Sequence, residues 1–220
     1  MPVEVKICGL STPQTVEGAI AAGADFIGLV FFPASPRHVD LILARDLAAK
    51  ARGRTKVVAL IVDASDQLIQ NIARHVRPDY FQAHGHEDPE RVKAISRITG
   101  IPVIKAFKVL DAPDVAAARE FREAADMILF DAKSPADIAD ALPGGNGRAF
   151  DWTLLGSEGA FKRFMLSGGL TPESVARAIR LTAAPIVDVS SGVESSPGIK
   201  DLGKIAAFIA AAQAGDPAGA

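Results

Sequence analysis

Short apolar runs alternate along the chain with longer amphipathic, alanine-rich segments. The apolar runs predict strands over residues 3–7, 26–30, 57–61, 80–82, 103–106, 127–130, 163–166 and 186–189. Helical spacing falls between them, for example over residues 12–22, 66–75, 89–99, 114–124 and 172–181. Strand-like runs separated by helical ones specify repeated βα units around a parallel sheet. Eight such units in 220 residues fit an α/β fold of one (β/α)8 TIM barrel. A doubly wound open sheet is the rival architecture. The expected domain spans residues 1–214, and residues 215–220 lack periodicity and are expected to fray.

Local chemistry supplies the punctuation. Thr12 before Pro13 and Thr171 before Pro172 each place a hydroxyl ahead of a proline, the arrangement of an N-cap and first helical turn. Gly23 stands where the first helix ends. The span 132–151 breaks the rhythm, with Pro143-Gly144-Gly145-Asn146-Gly147 at its centre. A loop of that length directly after Asp131 favours a functional role.

Period-two alternation assigns faces within each strand. Val3, Val5 and Ile7 share one face of the first strand, which sends Lys6 and Cys8 toward the barrel axis. Asp131 shares a face with Met127 and Leu129, and His84 with Tyr80 and Gln82. Strand C-terminal ends are where such barrels do chemistry. Cys8, the single cysteine, and Asp131 are therefore the candidate base and acid. The plainer readings are a buried thiol and a loop or capping carboxylate. His84 reads first as a hydrogen-bonded structural histidine. His84 and His86 are two residues apart with no third ligand, so no metal site is expected.

Gly168 and Gly169 follow the seventh strand, and Ser191 and Gly192 follow the eighth. Loops at these two places in a barrel commonly bind phosphate through backbone N–H groups. Arg37 lies in a loop stiffened by Pro33 and Pro36, a platform suited to gripping a carboxylate.

Composition narrows the class. Hydrophobic residues make up 49% and charged residues 23%, ordinary for a globular protein. With 24 basic and 26 acidic residues interspersed, there is no basic stripe for nucleic acid. No apolar stretch is long enough to span a membrane, and no signal-peptide pattern opens the chain. One cysteine forms no internal disulfide, so a cytoplasmic location is expected.

The motifs, taken in order, resemble the phosphoribosylanthranilate isomerase family of tryptophan biosynthesis. They are Lys6-Ile7-Cys8-Gly9, Gly23-Ala24-Asp25, Phe31-Phe32-Pro33, Ser35-Pro36-Arg37, Gln82-Ala83-His84-Gly85, Asp131, Gly144-Gly145-Asn146-Gly147, Phe150-Asp151-Trp152, Leu166-Ser167-Gly168-Gly169-Leu170 and Asp188-Val189-Ser190-Ser191-Gly192-Val193-Glu194. The resemblance implies an Amadori rearrangement of N-(5-phosphoribosyl)anthranilate without cofactor or metal. It implies Asp131 as general acid, Cys8 as general base, and Arg37 as holder of the anthranilate carboxylate. Gly169, Ser191 and Gly192 would bind phosphate, with Gly168, Gln82 and His84 also toward the substrate. A phosphorylated sugar is the expected partner, in a monomer or homodimer. Three departures from the family pattern are Ala83 for a leucine, Asn146 for a hydroxyl residue, and the strand ending Leu60-Ile61-Val62-Asp63 in place of Phe-Val-Asn. The rivals are a histidine-pathway aldose isomerase, against which Cys8 argues, indole-glycerol-phosphate synthase, for which Lys105 is the only hint, and a catalytically silent phosphate-binding barrel.

Overall fold

The apolar runs form eight strands: β1 (Glu4–Cys8), β2 (Phe26–Phe31), β3 (Lys56–Ile61), β4 (Tyr80–Ala83), β5 (Val103–Val109), β6 (Met127–Ala132), β7 (Phe164–Leu166) and β8 (Ile186–Val189). The computed structural model describes residues 2–132, 151–156 and 163–215. Every strand pairs in parallel with its neighbour in sequence, and β1 pairs with β8, so the sheet is a closed barrel and the open-sheet rival falls. The helices are α1 (Pro13–Ala21), α2 (Leu41–Ala51), α3 (Asp66–His75), α4 (Pro89–Thr99), α5 (Ala112–Ala117), α6 (Thr153–Gly156), α7 (Val175–Thr182) and α8 (Leu202–Ala214). A hairpin of β9 (Glu194–Ser196) and β10 (Ile199–Lys200) precedes α8.

Alternation sorts side chains into two layers. Val5, Ile7, Leu29, Ile61, Phe81, Phe130, Leu166 and Val187 point outward into the main core under the helices. Phe26, Val58, Ile104, Met127, Leu129, Met165 and Ile186 fill the barrel interior. Near the C-terminal rim the inner packing shrinks to Cys8, Val30 and Leu60. Apolar layers thus plug the barrel from below and leave the rim to polar groups.

Two helices differ from their predicted bounds by more than their capping residues, and the first helix, predicted over 12–22, runs over Pro13–Ala21 between its caps. The expected helix over 114–124 begins at Ala112 and tightens to a 3-10 turn over Ala118–Phe121. Its cap is Asp111, whose carboxylate accepts from the Asp114 N–H, with Pro113 in the first turn. The expected helix over 172–181 begins at Val175, because Thr171 and Ser174 close a turn of their own. Thr12 caps α1 as expected, its hydroxyl accepting from the Thr15 N–H. Of the predicted loop over 132–151, Ala132 closes β6, and residues 133–150, with Gly144, Gly145, Asn146, Gly147 and Phe150, lie outside the described residues, as does the predicted tail from 216 onward.

Helix α8 packs on α1 and α7 and so covers the β1–β8 closure, with Phe208 fully buried. Phe208→Ala is expected to cost about 3–5 kcal/mol, read as a lowered midpoint of urea unfolding.

Candidate active site

Cys8 and Asp131 both end inward-facing series at the C-terminal rim, and both are buried, at 4% and 5% exposure. The thiol owes its place to Gly28, its register partner on β2. A Cβ on Gly28 would lie 2.8 Å from Cys8 Sγ, so only glycine leaves that space. Behind the thiol, Lys6 is fully buried, and its Nζ donates to Asp188 Oδ1 at 2.8 Å. Ser167 Oγ donates to Asp188 Oδ2 at 3.0 Å. A lysine on the inward face of a strand requires a buried anion. In the sequence Asp188 stands only within a motif, and the inward-facing Lys6 is the signal from which such a partner could be found.

This arrangement sets the thiol. Burial pushes the Cys8 thiol above its usual range, the Lys6 ammonium opposes that shift, and Asp188 adds to it. Burial works to lower Lys6, and the Asp188 carboxylate together with Cys8 more than offsets it, so the ammonium stays charged.

Beside Asp131 stands His84. Its Nδ1 lies 2.9 Å from Gln82 Nε2, and its Nε2 lies 3.3 Å from Asp131 Oδ2. With the Gln82 amide donating to Nδ1, the neutral imidazole carries its proton on Nε2, facing the carboxylate. The 3.3 Å approach lacks hydrogen-bond alignment, and His84 Nε2 and Gln82 Oε1 are buried without a partner among the described residues. Polar atoms buried without a protein partner keep hydrogen-bonding capacity for water or a ligand. His86 is exposed and turns to Asp63, at 3.1 Å, so the two histidines do not converge. Among the described residues no group of three or more His, Cys, Asp or Glu side chains is placed to hold a metal ion. Asp63 itself sits at φ +46°, a conformation Asp and Asn both tolerate, which accommodates its departure from the family pattern.

The two glycine loops meet. A Cβ on Gly192 would fall 2.0 Å from Leu170 O, so the loop after β8 lies directly against the loop after β7. Gly168, at φ +86°, would place a Cβ 2.4 Å from Ala132 N, the residue after Asp131. The Asp131 carboxylate in turn accepts from that Ala132 N–H at 3.0 Å. Ser191 and Gly192 open a 3-10 turn over Ser191–Val193. The Gly169 N–H has no partner among the described residues.

Arg37 is 5% exposed and holds a carboxylate, that of Glu194: Nε to Oε1 at 2.7 Å and Nη2 to Oε2 at 2.8 Å. Its stem crosses Gly9, where a Cβ would meet Arg37 Cδ at 2.6 Å, and this fixes the arginine beside Cys8. Val39 N–H donates to Val30 O and folds the Arg37 loop back onto β2. Lys200 Nζ donates to Glu194 Oε1 at 2.6 Å and to Ser190 O at 2.9 Å, and Ser190 Oγ donates to Cys8 O at 3.1 Å. In the sequence Glu194 is only the end of a motif and Lys200 belongs to none. Lys105 points away from the barrel axis and pairs with Glu87 at 2.8 Å, so it offers no reactive amine at the rim.

Residues 5–211 match the family model for N-(5'phosphoribosyl)anthranilate (PRA) isomerase. An N-(5'-phosphoribosyl)anthranilate isomerase of Rhodopseudomonas palustris strain BisA53 is 55% identical over 214 residues, 97% of each chain. The phosphoribosyl anthranilate isomerase of Thermotoga maritima superposes with a TM-score of 0.87 at 36% identity, covering 96% of this chain and 99% of that one. A phosphoribosyl anthranilate isomerase in complex with reduced 1-(o-carboxyphenylamino)-1-deoxyribulose 5-phosphate gives 0.83 at 34% identity, over 96% and 99% of the two chains. Monomers generated from the dimeric Thermotoga maritima enzyme give 0.82 at 34% identity, with the same coverage.

The thiol's electrostatics are testable directly. Because burial raises the Cys8 pKa, alkylation by iodoacetamide should keep accelerating above the ordinary thiol range. Lys6→Met combined with Asp188→Asn, which leaves no unpaired charge, removes the opposing ammonium and should shift that rise to higher pH. Mass-spectrometric labelling rates across pH check both expectations.

Proposed function

We propose how the site divides its labour from one premise: the chain belongs to the N-(5'-phosphoribosyl)anthranilate isomerase family. It is an isomerase of tryptophan biosynthesis, converting N-(5-phosphoribosyl)anthranilate to 1-(2-carboxyphenylamino)-1-deoxyribulose 5-phosphate. Asp131, as the acid, gives its proton to the furanose ring oxygen while the C1′–O bond breaks and the anthranilate nitrogen lone pair forms an iminium. Cys8, as thiolate, takes the C2′ proton, and the C–H electron pair becomes the enolamine double bond. The enolamine then ketonises by moving a proton from the 2′-hydroxyl to C1′. Atoms are conserved and no redox partner is needed.

The observation that supports this assignment best is the placement of Cys8 and Asp131 on inner faces at one rim, each with its own polar neighbour. His84 lies next to Asp131 and Gln82 next to His84, both with unspent hydrogen-bonding capacity suited to substrate hydroxyls. The contiguous loops carrying Gly168, Gly169, Ser191 and Gly192 suit the phosphate, and Arg37 suits the anthranilate carboxylate. A basic residue needs its proton off at working pH. Burial raises the Cys8 thiol in the free protein and Lys6 offsets that only in part, so the thiolate depends on the second cation that the iminium adds at the moment of proton removal.

We further take the barrel of residues 1–214 as one domain acting in the cytoplasm, in keeping with its single free thiol. No described helix is long and apolar enough to cross a membrane. A monomeric or homodimeric state is in keeping with the dimeric Thermotoga maritima relative.

Anthranilate fluorescence, followed as purified protein consumes freshly generated substrate, tests the roles. Cys8→Ala and Asp131→Asn should each slow turnover about a hundredfold or more. Survival of activity in both would discard the acid and base named here. Gly28→Ala, which must displace Sγ, should lower kcat by about a hundredfold with the fold intact by circular dichroism.

A further inference from the structure

The guanidinium of Arg37 has two edges that can grip a carboxylate, and one is already occupied. Glu194 takes the side-on edge through Nε and Nη2. Nη1 has no hydrogen-bond partner among the described residues, so the end-on edge of Nη1 and Nη2 is the one left for a ligand. Glu194 is itself fixed on every side: Lys200 Nζ at 2.6 Å, the Gly198 N–H at 3.2 Å, and its own backbone O held by Lys204 Nζ at 2.8 Å. Arg37, Glu194 and Lys200 are all buried, so two cations share one carboxylate and the cluster keeps a net positive charge. An arginine without such a partner retains several rotamers, and ordering them on binding costs affinity.

We propose that Glu194 is a positioning residue and specificity determinant: it locks Arg37 so that only the end-on edge meets the carboxylate of the substrate's aromatic ring. The proposal rests on the reading that Arg37 holds that carboxylate. A planar ring with a carboxyl beside its nitrogen substituent meets a preset plane, and an aglycone without that carboxyl gains nothing from it. Through Lys200 and Ser190 the same carboxylate is tied to the strand end of Cys8 and to the start of the loop assigned to phosphate. One buried anion therefore sets the two anion-binding ends of the site relative to the base.

The test compares binding of reduced 1-(o-carboxyphenylamino)-1-deoxyribulose 5-phosphate with binding of the same compound lacking its carboxyl. The ratio of the two dissociation constants is the readout, which a general loosening of the protein leaves unmoved. Arg37→Ala should abolish the preference for the carboxyl compound. Glu194→Gln should cut that preference about tenfold and leave the carboxyl-free compound within about twofold, and raise KM more than it lowers kcat. Arg37→Ala/Glu194→Gln should bind no worse than Arg37→Ala alone, since Glu194 acts through the arginine. Glu194→Gln/Lys200→Met keeps the net charge of the cluster, and should show the same lost preference if the single variant fails to fold. Equal weakening of both compounds by Glu194→Gln, or an unchanged preference in it, overturns the role of Glu194. Preference persisting in Arg37→Ala overturns the Arg37 reading beneath it.

Discussion

A lysine ammonium sealed inside a barrel must have its counter-charge there too, and this constraint organises the molecule. Removing an ammonium and a carboxylate from water costs several kcal/mol for each ion, recovered only with close geometry and further hydrogen bonds. Lys6 and Asp188 meet that condition because β1 and β8 pair in a register that sets the two residues opposite each other. Ser167 from β7 completes the carboxylate's partners. Charge neutrality inside the barrel and closure of the barrel are thus the same event. The thiol above inherits its electrostatic setting from that event.

Above the ion pair, the site is organised by close approach as much as by charge. Gly28 yields room to the Cys8 sulfur, Gly9 to the Arg37 stem, and Gly192 to the backbone of the neighbouring loop. At each place a single methyl group would move a functional group, so these residues act by absence of volume. The polar groups divide by sides of the rim: Gln82 and His84 stand with Asp131, while Arg37, Glu194 and Lys200 stand with Cys8.

The legible parts of the chain are those ruled by short-range pattern. Asp66–His75 and Pro89–Thr99 carry capping side chains, Ser65 and Asp88, that mark their starts, and both helices keep the predicted bounds. Period two placed Lys6, Cys8 and Asp131 on inner faces, as the separation of the two packed layers shows. Glu194 and Lys200 were not legible as functional. Their meaning depends on a hairpin folding back to meet Arg37, a contact between residues 157 positions apart. Local spacing carries no record of such a meeting. Arg37 shows the same limit: the grip on a carboxylate was readable, and the identity of its first carboxylate was not.

The pairing of Lys6 with Asp188 spans 182 positions of chain. During synthesis the first strand leaves the ribosome long before the last, and its lysine waits in water for a partner still unmade. Contacts of such separation are reached late, because closing a long loop must precede any gain from them. The sulfur of Cys8 therefore acquires its shielded, retuned character only when nearly the whole polypeptide exists. In a nascent or truncated chain it is an ordinary thiol on an open edge, and reactivity itself becomes a record of completed assembly.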